Sequence, residues 1–383
     1  MGQAKANFNN EQTTQSGNYD DSDWTHELQL RLDPAAATLF ANAFSVGYRD
    51  DHQPADAVDD IALYEQLNAA VLARAESDSY QPVSMRLYRE AGDADTVLRF
   101  RLMCTEKNIA LSDVLPLLEN FGLRVLGEKP YRLNLAEGQQ CWLHVFEIEY
   151  AQGIASVDIE QLGELFEQAF SRVWQGIAEN DLFNQLVFSG KHPWREVTML
   201  RAYSRYMKQI ALPFTRPNVA NTLARYPEIA RQLVSLFELR FDPDSIADEH
   251  QRCVETDLAK ETIELCIANV DSLTEDQILR QYLTLILATL RTNFYQQDEQ
   301  GQSRRYVSFK FDVSAIPEAP KPRPKFEIFV YSAALEGVHL RGGKVARGGL
   351  RWSDREEDFR TEVLGLVKAQ QVKNSVIVPM GAK

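Results

Sequence analysis

The stretch 83-VSMRLYREAGDADTVLRFRL-102 changes the period of the chain. Val83, Met85 and Leu87 alternate with Ser84, Arg86 and Tyr88, the period-2 signature of a half-buried strand. The turn residues Ala91-Gly92-Asp93 then lead into Val97-Leu98-Arg99-Phe100-Arg101-Leu102, so the stretch predicts a hairpin. Downstream, the spacing predicts a helix from Leu111 to Phe121, ended by Gly122. Two further strands are expected, Leu123 to Leu133 and Trp142 to Tyr150, the latter with Leu143, Val145, Phe146 and Ile148. Upstream the pattern is helical. Asp33-Pro34 supplies a cap and an N1 proline ahead of Ala35, Leu39, Phe40 and Phe44, and Val58, Ile61, Leu63, Leu67 and Val71 predict a helix over Pro54 to Ala75. Each strand shows an apolar face that must be covered, so we expect a sheet of about four antiparallel strands with helices on one face.

Further along, residues 155–297 read as mostly helix. Leu162, Leu165, Phe166, Ala169, Phe170, Val173, Trp174 and Ile177 make a wide apolar stripe, and further helices are expected over Trp194 to Ile210, Pro227 to Leu239, Thr256 to Asn269 and Thr274 to Tyr295. The cluster Arg201, Tyr203, Arg205, Tyr206 and Lys208 is expected to be a core stripe of Leu200, Tyr203, Met207 and Ile210 with a solvated basic side. His144 and His192 stand alone, which favours satisfied structural histidines. QQDEQGQSRR then separates this block from a strand with Val307, Phe309, Phe311 and Val313 on one face. The four prolines between Pro317 and Pro324 should run extended as a stiff spacer. Strands resume at Phe326 to Tyr331 and Val338 to Arg341.

The fold class is therefore α+β multidomain. Residues 1–23 are expected to be a disordered tail or a foreign remnant, 24–153 an α+β domain with leading helices, 154–299 a helical domain, and 300–383 the start of a further domain. With 383 residues, 44% of them hydrophobic, the chain can bury substantial cores. Its net charge of −14, from 41 Lys+Arg against 55 Asp+Glu, argues against an extended nucleic-acid surface. The cysteines Cys104, Cys141, Cys253 and Cys266 are far apart and suit idle thiols better than disulfides or zinc ligands. No stretch is apolar enough to span a bilayer, and residues 1–23 lack the apolar run of a signal peptide.

The chemistry concentrates in 341-RGGKVARGGLRWSDREEDFRTEVLGLVKAQQVKNSVIVPMGAK-383. Gly342-Gly343 and Gly348-Gly349 permit close backbone approach to a ligand, and Arg341, Lys344, Arg347 and Arg351 surround them with positive charge, so the site suits an anion. Asp354 is expected to cap a helix whose inner face is Phe359, Val363, Leu366 and Val367. Lys368 and Lys373 come near that helix's carboxyl end, and Ser375 to Val378 reads as a strand feeding the turn Pro379-Met380-Gly381-Ala382-Lys383. A chain stopping there looks cut in the middle of a glycine turn.

The order of elements in 24–153 resembles ACT-like regulatory domains, whose sheet either senses an effector or is purely structural. The tail resembles the substrate domain of amino-acid dehydrogenases: Arg347-Gly348-Gly349-Leu350-Arg351-Trp352, the helix, Lys373, then Pro379-Met380-Gly381-Ala382-Lys383. Its wording is similar to the large NAD-specific glutamate dehydrogenases, which place long regulatory regions before the catalytic part. The resemblance implies that Lys383 is the catalytic lysine, while Arg347, Lys373 and the Gly348 and Gly349 amides hold substrate carboxylates. Arg347 stands where smaller enzymes carry lysine, and the last turn has one glycine before Ala382. A lysine acting on water must shed its proton near neutrality, down from about 10.4, under the push of burial and neighbouring cations. The implied reaction is reversible oxidative deamination of L-glutamate to 2-oxoglutarate and ammonia with NAD. No GxGxxG unit occurs here, so the NAD domain would lie beyond residue 383 and the chain alone would be inactive. The resemblance also implies a cytoplasmic homo-oligomer, with a possible amino-acid effector. No metal, nucleic-acid or membrane partner is expected. The alternative is a non-catalytic effector-binding or oligomerisation module.

Overall fold

A computed structural model describes residues 21–40, 42–75, 79–151, 159–246, 248–343 and 349–373. The hairpin read from the alternation is present: β1 (Val83–Tyr88) pairs antiparallel with β2 (Val97–Cys104), Leu87 opposite Phe100. Gly92 takes φ +101°, a conformation that other residues rarely adopt, and the Asp93 carboxylate accepts the Glu90 N–H to lock the turn. With β3 (Arg124–Asn134) and β4 (Gln140–Glu149) the sheet has the order β1-β2-β4-β3, antiparallel throughout.

Helices cover both faces of this sheet, not the one face expected. Leu98, Phe100, Leu102, Phe146 and Ile148 pack on α5 (Leu111–Asn120) and α6 (Ile159–Trp174). Met103, Tyr131, Leu133, Leu143 and Val145 point the other way and bury against α1 (Asp21–Arg31), α2 (Pro34–Leu39), α3 (Val46–Asp51) and α4 (Pro54–Ala73). The central strands β2 and β4 carry apolar residues on both sides around Met103, Leu143 and Val145, while at the other end of the second face Arg99 and Glu147 pair at 2.7 Å within reach of water. The first helix starts at Asp21, inside the segment 1–23 that had been set apart from the fold, and its Trp24 ring packs against Phe44. One charge interrupts the second face. Arg101 lies 3.1 Å from Asp60 and over the Tyr88 ring, and Asp60 also accepts the Tyr48 hydroxyl at 2.5 Å. Burial raises Asp60 to about 6 even though Arg101 pulls the other way.

The helical block continues with α7 (Leu186–Ser189), α8 (Trp194–Gln209), α9 (Arg216–Arg225), α10 (Pro227–Phe241), α11 (Glu249–Ile267) and α12 (Leu273–Ala288). The stripe Leu200, Tyr203, Met207 and Ile210 is core as expected, but of the basic side Arg201 and Arg205 turn inward while Lys208 meets solvent. Arg201 is 1% exposed, donating to Asp181 at 2.9 Å and to Asn184 at 2.7 Å, and Arg205 pairs with Glu179 and Glu336. Helix α8 is surrounded along most of its length, so these two cations are neutralised inside the protein. Asp248 caps α11 by accepting the Gln251 N–H, which starts it well before the expected Thr256.

Helix α12 stops at Ala288, short of the expected Tyr295, because Thr289–Thr292 becomes strand β5. Arg240 donates to the Ile286 and Thr289 carbonyls at this switch, and the Thr289 hydroxyl meets that of Tyr203 at 2.9 Å. Strand β5 opens a second antiparallel sheet, β5-β6-β7-β8, with β6 at Val307–Phe311, β7 at Phe326–Tyr331 and β8 at Glu336–Arg341. QQDEQGQSRR is thus the loop of the β5–β6 hairpin, closed by Asp298 on the Gln300 and Gln302 N–H groups, and the sheet begins on the near side of residue 300. Nor is the proline stretch an extended spacer. It joins neighbouring antiparallel strands and must fold back, and Arg323 ties it by donating to the Pro317 carbonyl at 2.6 Å. Phe309 and Phe311 stack on Tyr203 and Tyr206 at 4.3 and 4.2 Å, so one apolar core runs from the first sheet through α8 to the second.

The lone histidines are structural: His144 bridges Glu128 at 2.7 Å and Asn108 at 2.8 Å, and His192 meets Glu196 at 2.8 Å. All four cysteines are free thiols, two of them buried. Among the described residues no helix is long and apolar enough to cross a membrane. Because Phe100 is fully buried against Phe146, Phe166 and Phe170, Phe100→Ala is expected to cost about 3–5 kcal/mol in urea unfolding. Leu126→Ala, at a position 43% exposed, should stay within about 0.5 kcal/mol. Equal unfolding midpoints for the two variants would contradict this core.

Candidate functional site

The region carrying the anion-binding pattern runs from the end of β8 to α13 (Phe359–Lys373). Of the residues singled out for substrate and catalysis, Gly349 alone is fully described. It is exposed, with open space where a Cβ would stand. Arg347, Gly348 and Lys383 lie outside the described residues, as do Lys344 and the stretch Ser375 to Val378. Lys373 is the last residue of α13, placed by its backbone only. The helix separates its two ends by roughly 21 Å at 1.5 Å per residue.

The head of this segment is laced by ion pairs. Arg351 pairs with Glu362 and not with Asp354 or Glu357, and the Ser353 hydroxyl donates to the same carboxylate at 2.7 Å. The Ser353 and Arg351 contacts hold Glu362 below its usual value. Arg355 pairs with Asp358, Arg341 lies over the Phe326 ring, and Lys368 is an exposed helix lysine. Leu350 and Trp352 stand in solvent, Trp352 at 84% exposure.

Helix α13 begins at Phe359, not after Asp354, and its inward residues are Arg360, Leu364 and Val367, with Leu366 only half-buried. Gln209 at the end of α8 explains that start. Its amide N–H donates to the Glu356 carbonyl at 2.7 Å and its amide oxygen accepts the Arg360 N–H at 3.1 Å. Glu356 C=O and Arg360 N–H are the pair that would bond to each other if the helix extended further back. The side chain is inserted between them and halts the helix there. Arg360 is completely buried and forks onto Glu327 of β7 with two bonds of 2.6 and 2.7 Å. Burial opposes the Arg360 charge, but Glu327 outweighs it and holds the guanidinium above its usual value. The Tyr206 hydroxyl beside this pair is pushed well above its usual value, first by burial and then by Glu327.

This junction was missed in the sequence, though a signal existed. Glu327 falls on the same face of β7 as Phe329 and Tyr331, and Arg360 sits on the apolar side of α13, so two opposite charges occupy positions where apolar residues belong. Beside it lies a cleft of about 250 Å³ lined by Arg205, Lys208, Arg216, Glu336, Glu356 and Glu357. Burial raises Glu336 from 4.5 to about 7, against the pull of Arg205 at 3.4 Å and of Arg216, and with a further push from Glu179.

Four family descriptions match consecutive parts of the chain. They are glutamate dehydrogenase helical motif 2 over residues 34–67, the glutamate dehydrogenase ACT3 domain over 82–162, helical motif 3 over 178–243, and the bacterial NAD-glutamate dehydrogenase catalytic domain over 262–383. The ACT3 match falls on the first sheet, in keeping with the resemblance read from its element order. The catalytic match begins within α11 and takes in the whole second sheet. The chain is similar to the NAD-specific glutamate dehydrogenases of Pseudomonas aeruginosa, 51% identical, and Halomonas elongata, 47%, each over 90% of its length. That of Mycobacterium tuberculosis is 38% identical over 91%. The chain spans about a fifth of the length of these curated relatives, 20–21% of each.

Removing one member of the buried pair leaves the other charge uncompensated, so Glu327→Gln should cost about 3–5 kcal/mol in urea unfolding. The double change Glu327→Leu/Arg360→Met should cost less than the single one; a larger loss in the double variant would contradict a buried, desolvated pair. For Glu336 the folded value lies above the unfolded one, so its contribution to stability is full below 4.5 and is lost as pH rises through about 7. Glu336→Gln should flatten the stability profile across that window, measured by unfolding midpoints from pH 4.5 to 7.5. An unchanged slope would contradict the assignment.

Proposed function

We propose, given that the chain belongs to the family of bacterial NAD-specific glutamate dehydrogenases, that it carries the front of the substrate site of such an enzyme together with regulatory and assembly regions. The reaction is reversible oxidative deamination of L-glutamate to 2-oxoglutarate and ammonia. What supports this reading above all is the catalytic-domain match over 262–383, the stretch that holds the paired glycines and the cations. The name shared by the relatives gives the cofactor and substrate.

In this reading Arg347 and Lys373 hold the substrate carboxylates with the Gly348 and Gly349 amides, because a dicarboxylate needs a cation for each charged end and glycines let the backbone come close. Lys383 is the catalytic lysine. For that role its amine must be uncharged: it takes a proton from the water that adds to the iminium carbon left once hydride has gone, and as an ammonium it then stabilises the negative charge on the carbinolamine oxygen while the protonated amino group leaves as ammonia. NAD accepts the hydride when bound, but the described residues do not suit it. Both sheets are antiparallel throughout, so the described residues build no strand-helix-strand crossover of the dinucleotide type. The domain order is kept, but its bounds move: the ACT-like unit takes in α6, which packs on its sheet, and the last domain takes in β5 ahead of residue 300, with the helical region between.

Calorimetric titration with L-glutamate and with 2-oxoglutarate tests the site. Arg347→Ala and Lys373→Ala should each abolish or strongly reduce the heat of binding, while Lys383→Ala in the full-length protein should leave binding and remove turnover by at least about 10³-fold. Unaltered heats in both binding variants would favour the non-catalytic module instead.

A further inference from the structure

We propose that Gln209 is a positioning residue through which the helical region sets the geometry of the substrate site; this rests on the reading above, in which α13 links the glycine turn to Lys373. Three observations converge on it. Gln209 is 2% exposed, yet both halves of its amide are spent on the backbone of a segment 147 and 151 residues away, at Glu356 and Arg360. Few other side chains could do this, because the contact needs a donor and an acceptor on one planar group reaching a carbonyl and an N–H four residues apart. The amide therefore decides at which residue α13 begins.

The platform beneath it is fixed as well. Helix α8 ends with the Ala211 N–H on the Lys208 carbonyl and the Leu212 N–H on the Met207 carbonyl, with Ala211 in the left-handed region at φ 63°. An alanine there carries a steric cost that a glycine would avoid, and the two backbone bonds close the helix end over it. Next to Gln209, Arg360 is clamped to Glu327, so the first turn of α13 is held by α8 on its backbone and by β7 on its side chain. Lys208 adds a third tie to Glu357 at 3.1 Å. A displacement or rotation of α8 moves the start of α13 and the turn that precedes it. Helix α8 also touches α6, which covers the first sheet, so a shift there has a continuous packed route to the start of α13.

The experiment uses the full-length protein and steady-state kinetics with L-glutamate, 2-oxoglutarate and NAD. Gln209→Met keeps the volume and removes both hydrogen bonds to α13 together with the one to the Glu336 carboxyl. It should raise KM for the two dicarboxylates about tenfold or more while KM for NAD and kcat stay within about twofold. Gln209→Glu keeps an acceptor for the Arg360 N–H and should fall between wild type and Gln209→Met. A lower melting temperature with unchanged dicarboxylate KM in either variant would overturn the proposal and leave Gln209 a packing residue. If Gln209→Met fails to fold, Gln209→Glu alone decides by the same criterion. Failure of the underlying reading looks different: wild type would reduce no NAD with glutamate, or Lys373→Ala would leave the dicarboxylate KM unchanged.

Discussion

Burying α8 along most of its length is the constraint that organises this chain. A helix lying between a helical block and a sheet leaves little solvent side, so the polar side chains that turn inward must find partners within the protein. The pairings follow directly. Arg201 takes Asp181 and Asn184, Arg205 takes Glu179 and Glu336, Tyr203 takes Thr289, and Gln209 takes two backbone groups near α13. Between these polar ties the rings of Tyr203 and Tyr206 stack on Phe309 and Phe311, contributing the apolar area that ordering so many charges requires. The second sheet is seated by the same helix that the first sheet's covering helix α6 packs against.

Much of the first sheet was legible because local signals and global packing agree there. The Val83, Met85, Leu87 alternation, the Gly92 turn and the Gly122 stop each survive as strand, turn and helix end. What the alternation hid was the second apolar face. Leu143 and Val145 were read on one face with Phe146 and Ile148, but they point to the opposite side with Met103, and a two-sided strand reads as an ordinary half-buried one. Strand β5 was hidden for another reason. Thr289-Leu290-Arg291-Thr292 follows a strong helical run without a glycine or proline, and the break depends on Arg240, about fifty residues earlier in the chain, capping the Ile286 carbonyl. Prolines misled in a related way: four of them do exclude helix, but whether the chain runs out or turns back depends on where the next strand pairs.

Paired glycines among cations suggested an anion site from residue types alone, and the scaffold beside them was not legible. The scaffold uses residues that look like surface in one dimension: Glu327 in a strand, Arg360 among acids and Gln209 at a helix end. Each is polar and each is buried, and only their meeting across 33 to 151 residues of sequence explains why. Sequence reasoning assigns charge to solvent by default, so an ion pair assembled from distant elements escapes it until the strand register and the helix start are known.

The apolar core that passes unbroken from the first sheet through α8 into the second also has a mechanical meaning. A chain with separately packed lobes can bend at the joint between them, and such a joint takes up strain before it reaches the far side. Here the lobes share their interior, so the assembly is stiff in the way a lever is stiff. A push on the first sheet arrives at the second as displacement, with little of it lost to bending on the way.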